Sequence, residues 1–294
     1  MDIDKLRADL AVLLADQSLF DQTKLHDRNE AIELIKYAGD VLEVPGYAGA
    51  LDPLYQPALA LRDKLIQTNE ALFHRVRRTL QSGDFTPKSL RASFDKFTDY
   101  VPGKNSSAEQ EYDGLDLLLG AAIFPETAPG ESRKRALGMI RYQPTPARVI
   151  LEMIDSLHFT PQDIFFDIGS GLGLVVILVH LLTGVPCVGI EYDPAYWEYA
   201  RRSAEALNLK DVTFIQNDAR NANLNAGTIF YLFTPFVNEV FESVLERLRY
   251  TALRHPIYIC SYGTITYDLI RLPWLQIRDP AMEHDFKLAI FTSK

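Results

Sequence analysis

Asp163-Ile-Phe-Phe-Asp167-Ile-Gly169-Ser170-Gly171-Leu-Gly173-Leu174 is the stretch whose reading decides the fold. Ile164, Phe165, Phe166 and Ile168 form a short, β-prone apolar run, the pattern of a strand buried on both faces of a parallel sheet. Three glycines follow at alternate positions, and a turn built from them lets a ligand approach bare backbone. Leu174 to Leu182 continues as an apolar helix, ended by Gly184 and Pro186, and Cys187 to Glu191 reads as the next strand. Glu191 therefore stands at a strand's carboxyl end, where an open α/β sheet presents an acid to a ribose diol.

The glycine spacing separates two cofactor classes. A dinucleotide turn reads G-x-G-x-x-G and faces a pyrophosphate with a helix N-terminus. Here the spacing is G-x-G-x-G, and Asp167 precedes it by two residues. A carboxylate there suits an ammonium and opposes a pyrophosphate. S-adenosylmethionine (SAM), with an amino acid end, a ribose and an adenine but no phosphate, is the expected ligand.

With these residues in place, the chain resembles the class I, seven-stranded SAM-dependent methyltransferases, whose first motif is an acid followed by G-x-G-x-G, with a second acid ending the next strand. Val212 to Ala219 is similar to that family's third strand, which ends in an acid beside the adenine. The resemblance covers the C-terminal half. It implies cofactor contacts from Asp167, Gly169, Ser170, Gly171 and Gly173, from Glu191 and Tyr192, and from Asn217, Asp218 and Ala219. Glu191 would accept from the ribose hydroxyls and Asp218 from the adenine amine.

Upstream, Tyr142-Gln-Pro-Thr145-Pro146 precedes a helix. Thr145 is placed to cap that helix, with Pro146 at its first position. The same lead-in resembles bacterial and mitochondrial protein-lysine methyltransferases and, more distantly, the disruptor-of-telomeric-silencing histone lysine enzymes. In them the segment closes over the methionine end of SAM, which makes Tyr142 and Thr145 site candidates as well.

The expected fold is α/β, a doubly wound, mostly parallel seven-stranded sheet with an antiparallel C-terminal hairpin, preceded by an α-helical N-terminal domain. The domains are expected at residues 1–140 and 141–294. Strands are predicted over Val212 to Asn217, Thr228 to Phe233 and Ile257 to Ser261, with Trp274 to Arg278 and Phe286 to Thr292 as the closing pair. Helices are predicted over Arg28 to Val44, from Pro53 or Pro57 to Gln81, over Glu109 to Ala122, over Ala195 to Leu207 and over Val237 to Tyr250. Loops are expected over residues 102–107 and 125–130. The basic cluster His74 to Arg78 reads as a solvated helix face rather than a partner surface.

At the end of the fourth predicted strand stands Thr234-Pro235-Phe236. Nucleic-acid amino-methyltransferases place an Asn or Asp, two prolines and an aromatic there, and the carboxamide is missing here. Tyr142, Thr234 and Phe236 are the candidates for work at the acceptor, and no single catalytic residue stands out. In-line methyl transfer asks for alignment and a dry site rather than a metal or a nucleophilic triad. No metal spacing is seen, and Cys187 and Cys260 read as buried small residues.

The 294 residues carry a net charge of −9, which argues against a large nucleic-acid surface. No segment reads as membrane-spanning or as a signal peptide, so the expected location is cytoplasmic. The acceptor is expected to be a protein or a small molecule, with a protein lysine favoured by the lead-in. A small-molecule N- or O-methyltransferase would use the helical half as a lid or for homo-oligomer formation. A non-catalytic SAM-binding protein and a nicotinamide oxidoreductase are the further alternatives.

Overall fold

Seven strands, β1 (Phe165–Ile168), β2 (Cys187–Glu191), β3 (Val212–Gln216), β4 (Ile229–Phe233), β5 (Tyr258–Tyr262), β6 (Leu275–Ile277) and β7 (Ala289–Ser293), form one sheet. Their order is β3-β2-β1-β4-β5-β7-β6. The first five run parallel, and β7 inserts antiparallel between β5 and β6. The computed structural model describes residues 2–47, 49–102, 112–124, 126–279 and 285–294.

The apolar strands sit where both faces are covered. Along β4, Ile229 and Tyr231 face one core while Phe230 and Leu232 face the other. The first core is closed by α6 (Ala147–Ser156), α7 (Leu174–Thr183) and α8 (Pro194–Ala206), the second by α9 (Asn238–Ala252) and α10 (Ile265–Ile270). Cys187 and Cys260 are buried and free. Among the described residues no helix is long and apolar enough to cross a membrane.

The N-terminal half is helical: α1 (Ile3–Ala15), α2 (Leu25–Leu42), α3 (Tyr55–Ser82), α4 (Pro87–Phe94) and α5 (Gly114–Ile123). Leu6, Leu10, Ile35, Val41 and Ala58 make a separate small core among α1, α2 and α3. Further along, Leu72, Leu80, Leu90, Phe94 and Leu115 join the core that includes α6, α7 and the sheet. The apolar packing is thus continuous across residue 140.

Several predicted boundaries move for local reasons. α5 begins at Gly114, not Glu109, because Asp113 is extended and its carboxylate accepts the Leu115 N–H at 2.9 Å. Residues 109–111, most of the loop expected over 102–107 and Pro125 lie outside the described residues. β3 ends at Gln216, one residue before Asn217. The basic cluster is not all solvated face: Arg77 donates to the Ala122 and Ile123 carbonyls at 2.9 and 3.1 Å and closes the C-terminus of α5. The strand expected from Phe286 starts at Ala289.

Arg28 on α2 is fully buried. Its guanidinium donates to the Asn69 side chain at 2.6 Å and the Leu19 carbonyl at 3.0 Å, and also to the Asp21 carbonyl. One cation thereby satisfies the turn between α1 and α2 and ties it to α3. Arg28→Ala is expected to cost about 3 kcal/mol, since acceptors are left unpaired in the interior. Urea unfolding checks this, and a loss under about 1 kcal/mol would mean those acceptors find other partners.

Candidate active site

The carboxyl ends of β1, β2 and β4 converge on a cleft of about 970 Å³, measured to its open mouth. Its floor is the glycine turn after β1. Gly169 and Gly171 both have positive φ, +90° and +52°. A Cβ on Gly169 would lie 2.6 Å from Pro235, and one on Gly171 would lie 2.1 Å from the Tyr142 ring. Only glycine permits both the backbone conformation and these approaches.

Glu191, buried at the end of β2, accepts the Gly171 N–H at 2.7 Å and the Asp193 N–H at 2.8 Å. Burial pushes its pKa up, against the backbone donors that lower it. Asp167 is also buried, and its carboxyl is pushed well up by burial and then by the nearby Glu191 charge. No described residue donates a hydrogen bond to Asp167. Ser170 Oγ is likewise buried without a partner among the described residues. A ligand bearing an ammonium and hydroxyl groups fits polar atoms of this kind.

Over the mouth runs an irregular strap, residues 131–141, of which the sequence reading took no account. Asp193 caps α8 and also accepts from Ser132 N and Oγ and from Arg133 N, at 2.8 to 2.9 Å, fixing one end. At the other end Ile140 N donates to Pro235 O at 3.1 Å, and Val237 N to Gly138 O at 2.7 Å. Arg133, Arg135, Met139, Ile140 and Arg141 consequently line the cleft. The signal available was the run Arg133-Lys134-Arg135, whose position over the cleft depends on Asp193 and Pro235.

Of the residues singled out in the sequence, the cleft brings together Tyr142, Thr145, Asp167, Gly169, Ser170, Glu191, Tyr192, Asn217, Ala219, Thr234 and Phe236. Gly171 stands behind the Tyr142 ring. Asp218 is placed differently from the expectation: its carboxylate is bound by Arg220 through Nε at 3.0 Å and Nη2 at 2.6 Å, and it does not line the cleft.

Thr145 does not cap α6. Pro146 occupies the cap position, and the Ala147 N–H goes to Asp116 of α5 at 2.7 Å. Thr145 Oγ1 instead pairs with the buried Tyr231 hydroxyl at 3.1 Å. Burial raises the Tyr231 pKa, so its phenol is neutral and serves as a hydrogen-bonding wall rather than a base. After β4, Thr234 has φ +35°, a strained value for a β-branched residue. Its hydroxyl, 3.2 Å from Tyr262 O and 3.4 Å from Ile265 N, anchors the turn.

A sheet with β7 inserted antiparallel beside β5, and a cleft over a glycine turn at the strand ends, is the fold of the class I SAM-dependent methyltransferases. Residues 140–248 match the family described as histone methylation protein DOT1. No curated protein matches the chain. Among solved structures, an RNA methyltransferase from Salinibacter ruber in complex with S-adenosyl-L-homocysteine is similar at 26% identity, over 51% of this chain and 92% of that one, with a TM-score of 0.40. The human methyltransferase 10 domain containing protein is similar at 15% identity, over 60% and 92%, with a TM-score of 0.39. A ribosomal protein L11 methylase from Lactobacillus delbrueckii subsp. bulgaricus is similar at 12%, over 50% and 77%, also at 0.39.

Gly171→Ala is expected to push the Tyr142 ring off the turn and to strain the backbone by about 1–2 kcal/mol. Titration with SAM should show affinity reduced about tenfold or more with the fold retained. Unchanged affinity would mean that the ring's seat on Gly171 does not shape the cleft.

Proposed function

We propose that this protein transfers a methyl group from SAM to the side-chain amine of a lysine in another protein, in the cytoplasm. The observation that carries the choice of acceptor is the end of β4. Thr234 stands where a carboxamide would orient a nucleobase amine, and the Pro235 carbonyl already accepts the Ile140 N–H. What this edge offers is aromatic lining: Phe233, Phe236, Tyr142 and Tyr231 all line the cleft. Such a lining suits an alkyl chain. The match of residues 140–248 to a histone methylation family supports the same reading.

SAM supplies an activated methyl on a sulfonium, so the protein's work is binding, alignment and exclusion of water. In this proposal the turn from Gly169 to Gly173 seats the amino acid end and Asp167 faces its ammonium. Glu191 keeps lone pairs for the ribose hydroxyls while holding Gly171 and Asp193. Asn217 and Ala219, rather than Asp218, lie against the adenine. Tyr142 and Thr145 close the methionine end. Desolvation against the aromatic lining would lower the acceptor ammonium's pKa, so that its proton goes to solvent as the lysine enters. The neutral amine would then form the N–CH3 bond as the S–CH3 bond breaks and the thioether S-adenosylhomocysteine leaves. The helical residues 1–140 frame the approach of the acceptor.

Calorimetric titration with SAM, beside NADH, tests the cofactor. One-site SAM binding without NADH heat is expected, and Glu191→Ala should lose about 1.5–3 kcal/mol through its charge-assisted hydrogen bonds. No SAM binding by folded protein would sink the proposal. For the acceptor, labelled methyl should be recovered as N-methyllysine from acid-hydrolysed lysate protein. Label confined to metabolites or RNA would replace the lysine reading.

The raised pKa values of Asp167 and Glu191 predict a pH dependence. The charged forms bind, so SAM affinity should weaken as pH falls through those values, starting above the ordinary carboxylate range of about 4. Asp167→Asn should flatten the profile. A wild-type affinity that does not change as pH falls toward the ordinary carboxylate range of about 4 would mean that protonation of neither carboxylate governs binding.

A further inference from the structure

The strap differs chemically from the rest of the molecule. Arg133, Lys134, Arg135 and Arg141 stand against Glu131 alone within residues 131–141, in a chain whose net charge is −9. All four cations are exposed. Arg135 is ion-paired with Glu131 at 3.2 Å, and the other three make no ion pair among the described residues. Between them Leu137 is 98% exposed and Ile140 44%. A cationic, apolar edge has therefore been placed on the lip of the cleft and pinned at both ends.

We infer that the strap is the docking edge for the acceptor protein, and that it takes an acidic segment with apolar residues beside the target lysine. The inference rests on the lysine reading above and specifies its partner. Charge complementarity selects an anionic surface, and the exposed Leu137 and Ile140 select a protein over a nucleic acid. The rings nearest the strap are occupied: Arg133 covers Tyr192 at 4.1 Å from its centroid, and Tyr196 packs edge-on against Tyr142. That leaves them poorly placed for base stacking, which single-stranded nucleic acids require. Fixing by Asp193 and Pro235 presets the strap's conformation, so little ordering is lost when a partner docks.

The test uses the full chain with SAM and three short peptides, each with one central lysine flanked by leucine and by glutamate, glutamine or arginine. Methylation kcat/KM should be about tenfold higher for the glutamate peptide than for the glutamine peptide, with the gap narrowing at high salt. The double variant Lys134→Glu, Leu137→Ser, at positions that do not line the cleft, should erase that advantage. SAM affinity should stay at its wild-type value, and the glutamine peptide, which shares the flanking leucines, should slow by less than the glutamate peptide does.

Equal kcat/KM on the three peptides, or an advantage untouched in the double variant, would overturn the docking inference and leave the lysine reading standing. Salt-dependent binding of an oligouridine, lost in the double variant while the peptides are not discriminated, would assign the edge to nucleic acid and overturn it too. If SAM binds and no lysine peptide is methylated, the lysine reading falls and the docking inference falls with it.

Discussion

Glu191 accepts the Gly171 N–H with one carboxylate oxygen and the Asp193 N–H with the other, and the rest of the cleft follows from those two bonds. They join the turn after β1, the end of β2 and the entry to α8. A buried carboxylate without donors would be costly, so the turn and the helix entry are held wherever Glu191 is held. Asp193 extends the chain of contacts by capping α8 and clamping Ser132 and Arg133. The floor and the lip of the cleft are thereby one hydrogen-bonded unit.

The opposite wall is built on strain rather than on charge. Thr234 is held at positive φ by its contacts with Tyr262 and Ile265, and the chain it redirects meets the strap through Pro235 and Val237. Such strain persists only where surrounding contacts over-determine it. Here it turns Phe236 inward, as both core residue and cleft wall. Through Phe236 this side of the cleft is continuous with the second core.

The helical half contributes to the site through α5. Asp116 accepts the Ala147 N–H and also the Asp113 N–H at 2.9 Å, so one carboxylate caps α6 and completes the cap of α5. Burial pushes its pKa up to about 7. With the α6 N-terminus satisfied from outside, Thr145 is free to turn inward onto Tyr231. The N-terminal helices therefore help set the orientation of the segment that carries Tyr142.

The sequence by itself determined the sheet, the glycine turn and the position of Glu191. These rest on local rules: apolar runs for doubly covered strands, glycine where Cβ cannot fit, and strand ends facing the ligand crevice. It could not place Asp218 or Thr145, because each carries a polar group with several local partners in reach. Arg220 claimed the first, and Asp116, from thirty residues upstream, left the second free. The strap was illegible for a related reason: its path is fixed by bonds to Asp193 and Pro235, about sixty and a hundred residues further on in the numbering. Backbone preferences are encoded within a few residues, whereas the choice among competing polar partners is made only once distant segments have been brought together by the core.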